Sequence, residues 1–331
     1  PDAPRPCILY FHAGAWIAGH RSFGAGVCAW LASHGAVCLA VSYRLTNSGA
    51  GIAGCIEDAW AALQWTRANA ARLNIDPSRI TVAGDSAGGL LATALGTGLD
   101  PKSEDPVGRS EMPAAVVAGW PVTTLGTRTW APRRGRDGTW EPTPAGKDFP
   151  VASVFVPEEF GQSAQATQAR LADVLAGSFL GFGRRLFGLL PPTRLYPEDD
   201  AALLSPTRLA SQHGLPPMLL VTGSADQVVP CAQASYFAEM ARASGNDVAQ
   251  LIFEGAGHGG GCSNCATGRA AILSFLRYHK LLHGSERQED DPRDAIGASM
   301  RAFQMKPVEY KPLRFRPARD GRKTIHVKQK S

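Results

Sequence analysis

Residues 80–90 read ITVAGDSAGGL. An apolar, β-branched run ends at Gly84, Ser86 follows two residues later, and a helix-forming segment begins directly after the serine. A strand that turns this sharply into a helix leaves little room beside the serine, which explains the small residues Gly84 and Gly88. The pattern predicts a serine held out on a tight strand-to-helix turn, a position suited to a nucleophile. Taken alone, the G-x-S-x-G spacing also fits an ordinary turn serine, so the surroundings have to distinguish the two.

Apolar runs and amphipathic segments alternate on both sides of this stretch. A turn is expected at Asp76–Arg79, directly before the strand that begins at Ile80. The other strands are predicted at residues 7–11, 37–41, 114–120, 218–222 and 248–253, and the helices at about 21–34, 55–73, 87–99, 231–244 and 266–282. Strands that alternate with helices in this way predict an α/β fold, with a mostly parallel central sheet covered by helices on both faces.

The same alternation divides the chain into four parts. Residues 1–121 and 209–283 carry the strand and helix rhythm and are expected to form one core in two pieces. Residues 122–208 hold much Pro, Gly and Arg, with one helical stretch near 162–175, and are interpreted as an inserted lid rather than a disordered excursion. This interpretation rests on phenylalanines that need a surface to cover, namely Phe155, Phe160, Phe179, Phe182 and Phe187. Residues 284–331 are predicted to be a basic, disordered tail.

The formal net charge of +5 resides in this tail. From Glu286 to Ser331 there are 12 basic and 7 acidic residues, whereas the first 285 residues hold 22 of each. A neutral body gives no basic face for nucleic acid, so nucleic-acid binding is not expected. The tail alone could attach the protein weakly to an acidic partner. No apolar run reaches the roughly 18 residues of a membrane-spanning helix, so no transmembrane segment is expected.

The seven cysteines are odd in number, and several stand inside apolar runs. They are expected to be scattered buried thiols, which favours a reducing compartment and a cytoplasmic location. Cys262 and Cys265 have the spacing of half a zinc or redox site, but no second pair matches it, so neither a metal nor another cofactor is expected. Because the chain begins at Pro1, close to the first predicted strand, its N-terminus is expected to be incomplete, and a lost targeting segment stays open.

Three residues have the order that serine catalysis requires on such a sheet. A serine hydroxyl needs a base to accept its proton and a carboxylate to orient that base. Ser86, Asp226 and His258 each follow an apolar run at a glycine-bearing turn, in the order serine, acid, histidine. Asp247 and Glu254 are rival acids, but Asp247 precedes its strand and Glu254 stands only four residues before the histidine. We therefore expect Asp226 to be the acid.

Acyl transfer also needs hydrogen-bond donors for the oxyanion. The backbone N–H of Ala87, the residue after the serine, is one expected donor. The loop of small residues after the first strand, HAGAW at residues 12–16, is the expected source of the others. That loop is equally compatible with a plain strand-to-helix turn.

Together these motifs resemble the hormone-sensitive-lipase-like (family IV) and related BD-FAE-type esterases of the α/β-hydrolase fold. The resemblance covers residues 7–283 and rests on HAGAW at 12–16, YRL at 43–45, GDSAGG at 84–89, GSAD at 223–226 with Val229 and Pro230, and GHG at 257–259. It implies a carboxylesterase that works through Ser86, His258 and Asp226 without metal or cofactor. It also implies oxyanion donors at the N–H groups of Gly14, Ala15 and Ala87.

The first of these motifs departs from the family pattern. The usual His-Gly-Gly-Gly is replaced by residues 12–15, HAGA, so two methyl groups enter a loop beside the substrate. We therefore expect a small-molecule ester with a short acyl chain as substrate. An arylformamidase or other amide hydrolase is the alternative within enzymes, since the same machinery cleaves both bonds. A ligand receptor that kept the fold and lost catalysis is the alternative outside them.

Overall fold

A seven-stranded sheet lies at the centre of the molecule. The computed structural model describes residues 3–125, 133–135, 137–141, 202–259, 262–282 and 324–328. In chain order the strands are β1 (Arg5–Phe11), β2 (Val37–Val41), β3 (Ile75–Asp85), β4 (Ala115–Gly119), β5 (Arg133–Arg134), β6 (Trp140–Glu141), β7 (Met218–Gly223), β8 (Val248–Phe253) and β9 (Thr324–Val327). The sheet order is β2-β1-β3-β4-β7-β8-β9, and every neighbouring pair is parallel. β5 and β6 form a separate antiparallel pair within the 122–208 segment.

Helices cover both faces of the sheet. They are α1 (Ala25–Ser33), α2 (Gly51–Ala68), α3 (Ala70–Leu73), α4 (Ala87–Thr97), α5 (Cys231–Ala243) and α6 (Ala266–Tyr278). Buried side chains of α2, α4 and α5 pack with one face of the strands, and those of α1 and α6 pack with the other. Because both faces are covered, β4, β7 and β8 are buried along their whole length. The predicted α/β-hydrolase fold is confirmed.

Two segments are divided into elements differently from the sequence prediction. The predicted helix at 55–73 begins earlier, at Gly51, and breaks at Asn69 into α2 and α3. The turn predicted at Asp76–Arg79 lies within β3, where the Oδ1 atom of Asp76 accepts the N–H of Ser78 at 2.9 Å. The pairing of β3 with β1 is irregular at this point. The turn chemistry therefore makes a bulge in the strand rather than starting a new element.

The prediction of a wholly disordered tail is wrong for residues 324–327. These residues form β9, which pairs with β8 at the edge of the sheet. Ile325 and Val327 alternate with Thr324 and His326, but a four-residue alternation is too short to stand out within a basic segment. Apart from Lys328, the rest of the predicted tail lies outside the described residues.

The two ends of the predicted insertion lie side by side. The N–H of Thr207 donates to the carbonyl of Thr123 at 2.9 Å, and the hydroxyl of Ser205 accepts the N–H of Leu125 at 2.8 Å. The chain therefore leaves the core and re-enters it at one place. The helix predicted near 162–175 and the five phenylalanines lie outside the described residues, so the lid stays a prediction.

No helix in the described part of the chain combines the length and apolar character needed to cross a membrane.

Candidate active site

Ser86 stands on a strained turn between β3 and α4. Its backbone angles are φ 55° and ψ −115°, and its N–H donates to the carbonyl of Gly119 on β4 at 2.7 Å. A Cβ at Gly84 would lie 2.3 Å from the carbonyl oxygen of Gly88, and a Cβ at Gly88 would lie 2.1 Å from that of Phe11. Both glycines are therefore required by close approach of backbone, as the sequence pattern predicted.

The serine, the histidine and the acid meet in one hydrogen-bonded line. The Nε2 atom of His258 lies 3.0 Å from the Oγ atom of Ser86, and its Nδ1 atom lies 2.8 Å from the Oδ2 atom of Asp226. These distances fit an imidazole whose Nδ1–H donates to the carboxylate while Nε2 accepts the serine hydroxyl proton. The side chain of Asp226 is fully buried and that of His258 is 11% exposed. Burial strengthens the hydrogen bond from the ring to the carboxylate.

Backbone groups fix the free oxygen of Asp226. Its Oδ1 atom accepts the N–H groups of Val228 and Val229 at 2.8 and 2.9 Å, so the carboxylate cannot rotate without losing both bonds. The rival acids have other partners. Glu254 contacts His326 on β9, and Asp247 lies 3.7 Å from the Nε2 atom of His279.

The loop after β1 bends back on itself beside the serine turn. Gly14, Ala15 and Trp16 have φ angles of 138°, 51° and 61°, and the carbonyl of Gly14 accepts the N–H groups of two residues further along the loop. The N–H groups of Gly14, Ala15 and Ala87 have no hydrogen-bond partner within the described residues. Three free donors in backbone segments that pack together are what an oxyanion hole requires.

His12 anchors the base of this loop. Its ring stacks on Tyr43 with centroids 4.3 Å apart, and the hydroxyl of Tyr43 donates to the carbonyl of His12 at 2.8 Å. A Cβ at Gly19 would lie 2.3 Å from the His12 ring. Burial lowers the pKa of His12, which favours the neutral imidazole. The YRL and HAGAW motifs therefore act together, since Tyr43 holds the first residue of the loop.

A polar cluster of Tyr10, Asp85 and Cys262 lies beneath the serine turn. Asp85 accepts the hydroxyl of Tyr10 at 2.6 Å, and the Cys262 thiol donates to its other oxygen at 3.7 Å. Burial raises the pKa of Asp85 to about 6, against the opposing effect of these hydrogen bonds. Cys265 instead caps the N-terminus of α6, where its sulfur accepts the N–H of Gly268 at 3.3 Å. The two cysteines thus have separate structural partners.

Sequence reasoning missed several neighbours of the three central residues. Gly119 receives the N–H of Ser86, Trp120 lies with its ring centroid 5.8 Å from that of His258, and Tyr10 and Cys262 bind Asp85. These residues come from separate elements, and none lies at a sequence distance from Ser86 that identifies it as a neighbour of the site. Of the residue groups that the structure describes, no cluster of three or more His, Cys, Asp or Glu side chains is arranged to hold a metal ion.

Two family models match successive parts of the chain. The model of the alpha/beta hydrolase fold matches residues 8–168, which include Ser86 and the loop after β1. The model of the prolyl oligopeptidase family matches residues 195–280, which include Asp226 and His258.

Two relatives in sequence are named as esterases. Esterase LipC of Mycobacterium tuberculosis is 28% identical over 286 residues, which are 85% of this chain and 60% of LipC. Carboxylesterase NlhH of the same organism is 43% identical over 91 residues, 27% of this chain and 28% of NlhH. The chain thus spans less than two thirds of the length of these relatives.

A thermophilic esterase from Thermogutta terrifontis has a similar structure. Its native form has a TM-score of 0.58 and 27% identity, and the match covers 87% of this chain and 86% of that one. Its butyrate-bound form has a TM-score of 0.57 and 28% identity, and the match covers 86% of each chain. The chain is therefore a protein of the α/β-hydrolase fold that is similar in sequence and in structure to esterases.

Proposed function

We propose that the protein is a serine carboxylesterase. The observation that carries the proposal is the hydrogen-bonded line of Ser86, His258 and Asp226, with distances of 3.0 and 2.8 Å. The similarity to LipC, NlhH and the T. terrifontis esterase supports ester hydrolysis as the reaction.

Each residue then has one role in a two-step reaction. Ser86 attacks the ester carbonyl while His258 takes its proton, and the same proton passes to the departing alcohol. Asp226 holds the imidazole and stabilises its charged form. The N–H groups of Gly14, Ala15 and Ala87 bind the oxyanion of the tetrahedral intermediate. A water molecule activated by His258 releases the acid and restores the free serine.

The substrate is proposed to be a small ester with a short acyl chain. Ala13 and Ala15 stand in the loop that faces the serine turn, at positions where the family pattern that the chain resembles has glycine. The butyrate-bound form of the T. terrifontis esterase supports an acyl group of this size. The free state of all seven cysteines favours a reducing compartment, and a cytoplasmic location is part of the proposal.

Hydrolysis of p-nitrophenyl esters with acyl chains from acetate to decanoate tests this proposal. We expect the highest kcat/KM at acetate or butyrate, and we expect Ser86→Ala to lower kcat by about 10⁶-fold. Ser103→Ala, a change at an exposed turn, is the matched control and should have wild-type activity. A fluorophosphonate probe should label Ser86 in the folded protein. Absence of both labelling and turnover would favour the non-catalytic receptor instead.

Amide hydrolysis is the second candidate function. The match of residues 195–280 to the prolyl oligopeptidase family favours it, because this part holds Asp226 and His258. N-formylkynurenine and p-nitrophenyl butyrate compared on the same preparation separate the two activities. Turnover of the formamide without turnover of the ester would replace the esterase proposal by an arylformamidase.

A further inference from the structure

The strand β9 lies next to the segment that carries His258. The N–H of Glu254, the residue after β8, donates to the carbonyl of Val327 at 2.8 Å, and the carboxylate of Glu254 contacts the ring of His326. His258 follows four residues later. β9 therefore binds the end of β8 at the point where the chain leaves the sheet for the histidine loop.

The next two residues, Gly255 and Ala256, are bound by the turn that carries Asp226. The N–H of Gly255 donates to the hydroxyl of Ser224 at 2.8 Å, and the N–H of Ala225 donates to the carbonyl of Ala256 at 2.9 Å. Glu254 is thus held by β9, and Gly255 and Ala256 are held by the Asp226 turn. Removal of β9 would leave only the contacts with the Asp226 turn.

The register of β9 is specified by both of its faces. Val327 is 2% exposed and packs with the α6 side of the core, and Ile325 packs with the same cluster. On the opposite face, Arg242 of α5 donates to the hydroxyl of Thr324 at 2.9 Å and to the carbonyl of Val248 at 2.7 Å. A shift by one residue would turn the apolar side chains toward Arg242 and the polar ones into the core, so the observed pairing is selected.

We propose that β9 is a positioning element of the active site, which holds Glu254 at the end of β8 so that His258 stays aligned between Ser86 and Asp226. This rests on the proposed esterase function. The backbone ladder and the burial of Val327 carry the effect, because the contact between His326 and Glu254 is half exposed and such pairs contribute little. An error of about 1 Å in the position of a catalytic group costs on the order of 100-fold in rate, so a loosened histidine loop should lower kcat.

The test compares two truncated chains with the full chain. One ends at Asp320 and lacks β9, and its matched control ends at Lys328 and keeps β9. We expect the first to lose about 10- to 100-fold in kcat on p-nitrophenyl butyrate with little change in KM, and the second to resemble the full chain. A synthetic peptide of residues 321–331 added to the first chain should restore kcat, whereas the same peptide with Ile325→Asp and Val327→Asp should not.

Hydrogen exchange gives a readout that does not depend on activity. Amides of residues 254–258 should exchange faster in the chain that ends at Asp320 than in the control, and the peptide should restore their protection. If the chain that ends at Asp320 does not fold, the milder substitution Val327→Ala in the full chain should show the same two effects at reduced size. Unchanged kcat and unchanged exchange would overturn the proposal, as would peptide binding that restores neither.

Failure of the esterase function is distinguishable from failure of this proposal. If the esterase function is wrong, the full chain would lack turnover and labelling of Ser86. The exchange comparison would still decide whether β9 holds the segment of residues 254–258. Faster exchange on truncation would then support the positioning of the loop, and equal exchange would overturn it.

Discussion

At the scale of single residues, Asp226 is the most closely held member of the proposed active site. Its two oxygens have three partners, namely His258 and the N–H groups of Val228 and Val229. The sequence already favoured it over Glu254 and Asp247 from its place after a strand. What the sequence could not predict is the pair of backbone donors, because they depend on the shape of one turn.

Replacement of Asp226 by asparagine should lower kcat by about 10⁴-fold with little effect on KM. The amide cannot accept the N–H of His258 in the same way, so the imidazole is held in the wrong tautomer for accepting the serine proton. Steady-state kinetics on p-nitrophenyl butyrate measures the effect. Asp247→Asn is the control, because Asp247 directly precedes β8 and its side chain is 48% exposed. Equal losses in both variants would contradict the assignment of the acid.

At the scale of elements, the serine turn and the loop after β1 form one unit. Gly88 approaches the carbonyls of Phe11 and His12 so closely that the first turn of α4 and the end of β1 determine each other's position. The need for a glycine at this position was predicted from the sharpness of the turn. The structure adds that the loop itself is the neighbour that a side chain would strike.

Ala15 is an unusual residue for its backbone conformation. Its φ of 51° is left-handed, a region that costs a residue with a Cβ about 1 kcal/mol or more. Ala15→Gly should therefore keep the loop conformation and remove a methyl group from beside the substrate. We expect the ratio of kcat/KM for p-nitrophenyl hexanoate to that for acetate to rise by about tenfold.

The control for this prediction is Ala32→Gly, which removes a methyl group from the exposed face of α1. It should lower stability by about 1 kcal/mol without any change in acyl preference. An unaltered acyl profile in Ala15→Gly would show that this loop does not limit the chain length.

At the scale of the whole molecule, the core contains a buried acid whose ionisation affects folding. Asp85 has a pKa of about 6, above its ordinary value of 3.8, because burial disfavours the charged form. The folded state therefore binds more protons than the unfolded state between about pH 4 and pH 6. The contribution of this group to the free energy of unfolding falls as the pH rises through that window and is constant above it.

Asp85→Asn should remove this dependence. The unfolding free energy of the wild type minus that of the variant should fall by up to about 3 kcal/mol from pH 4 to pH 7. This fall corresponds to a pKa shift of about two units. Urea unfolding at pH 4, 5, 6 and 7 measures it. A difference that stays constant across this range would show that the pKa of Asp85 in the folded protein is not raised above its ordinary value.

The sequence by itself determined the features that depend on local chemistry. Short stretches of sequence predict the glycines around Ser86 and the alternation of strands and helices, because turn geometry and side-chain periodicity act over a few residues. Ser86, Asp226 and His258 are each recognised from a local motif, and their order follows from the positions of those motifs. The tertiary structure alone decided which distant groups meet. Gly119 receives the N–H of Ser86, Tyr10 and Cys262 bind Asp85, and four residues of a basic tail complete the sheet beside Glu254. Such contacts join elements far apart in the chain, and only the packing of those elements brings them together.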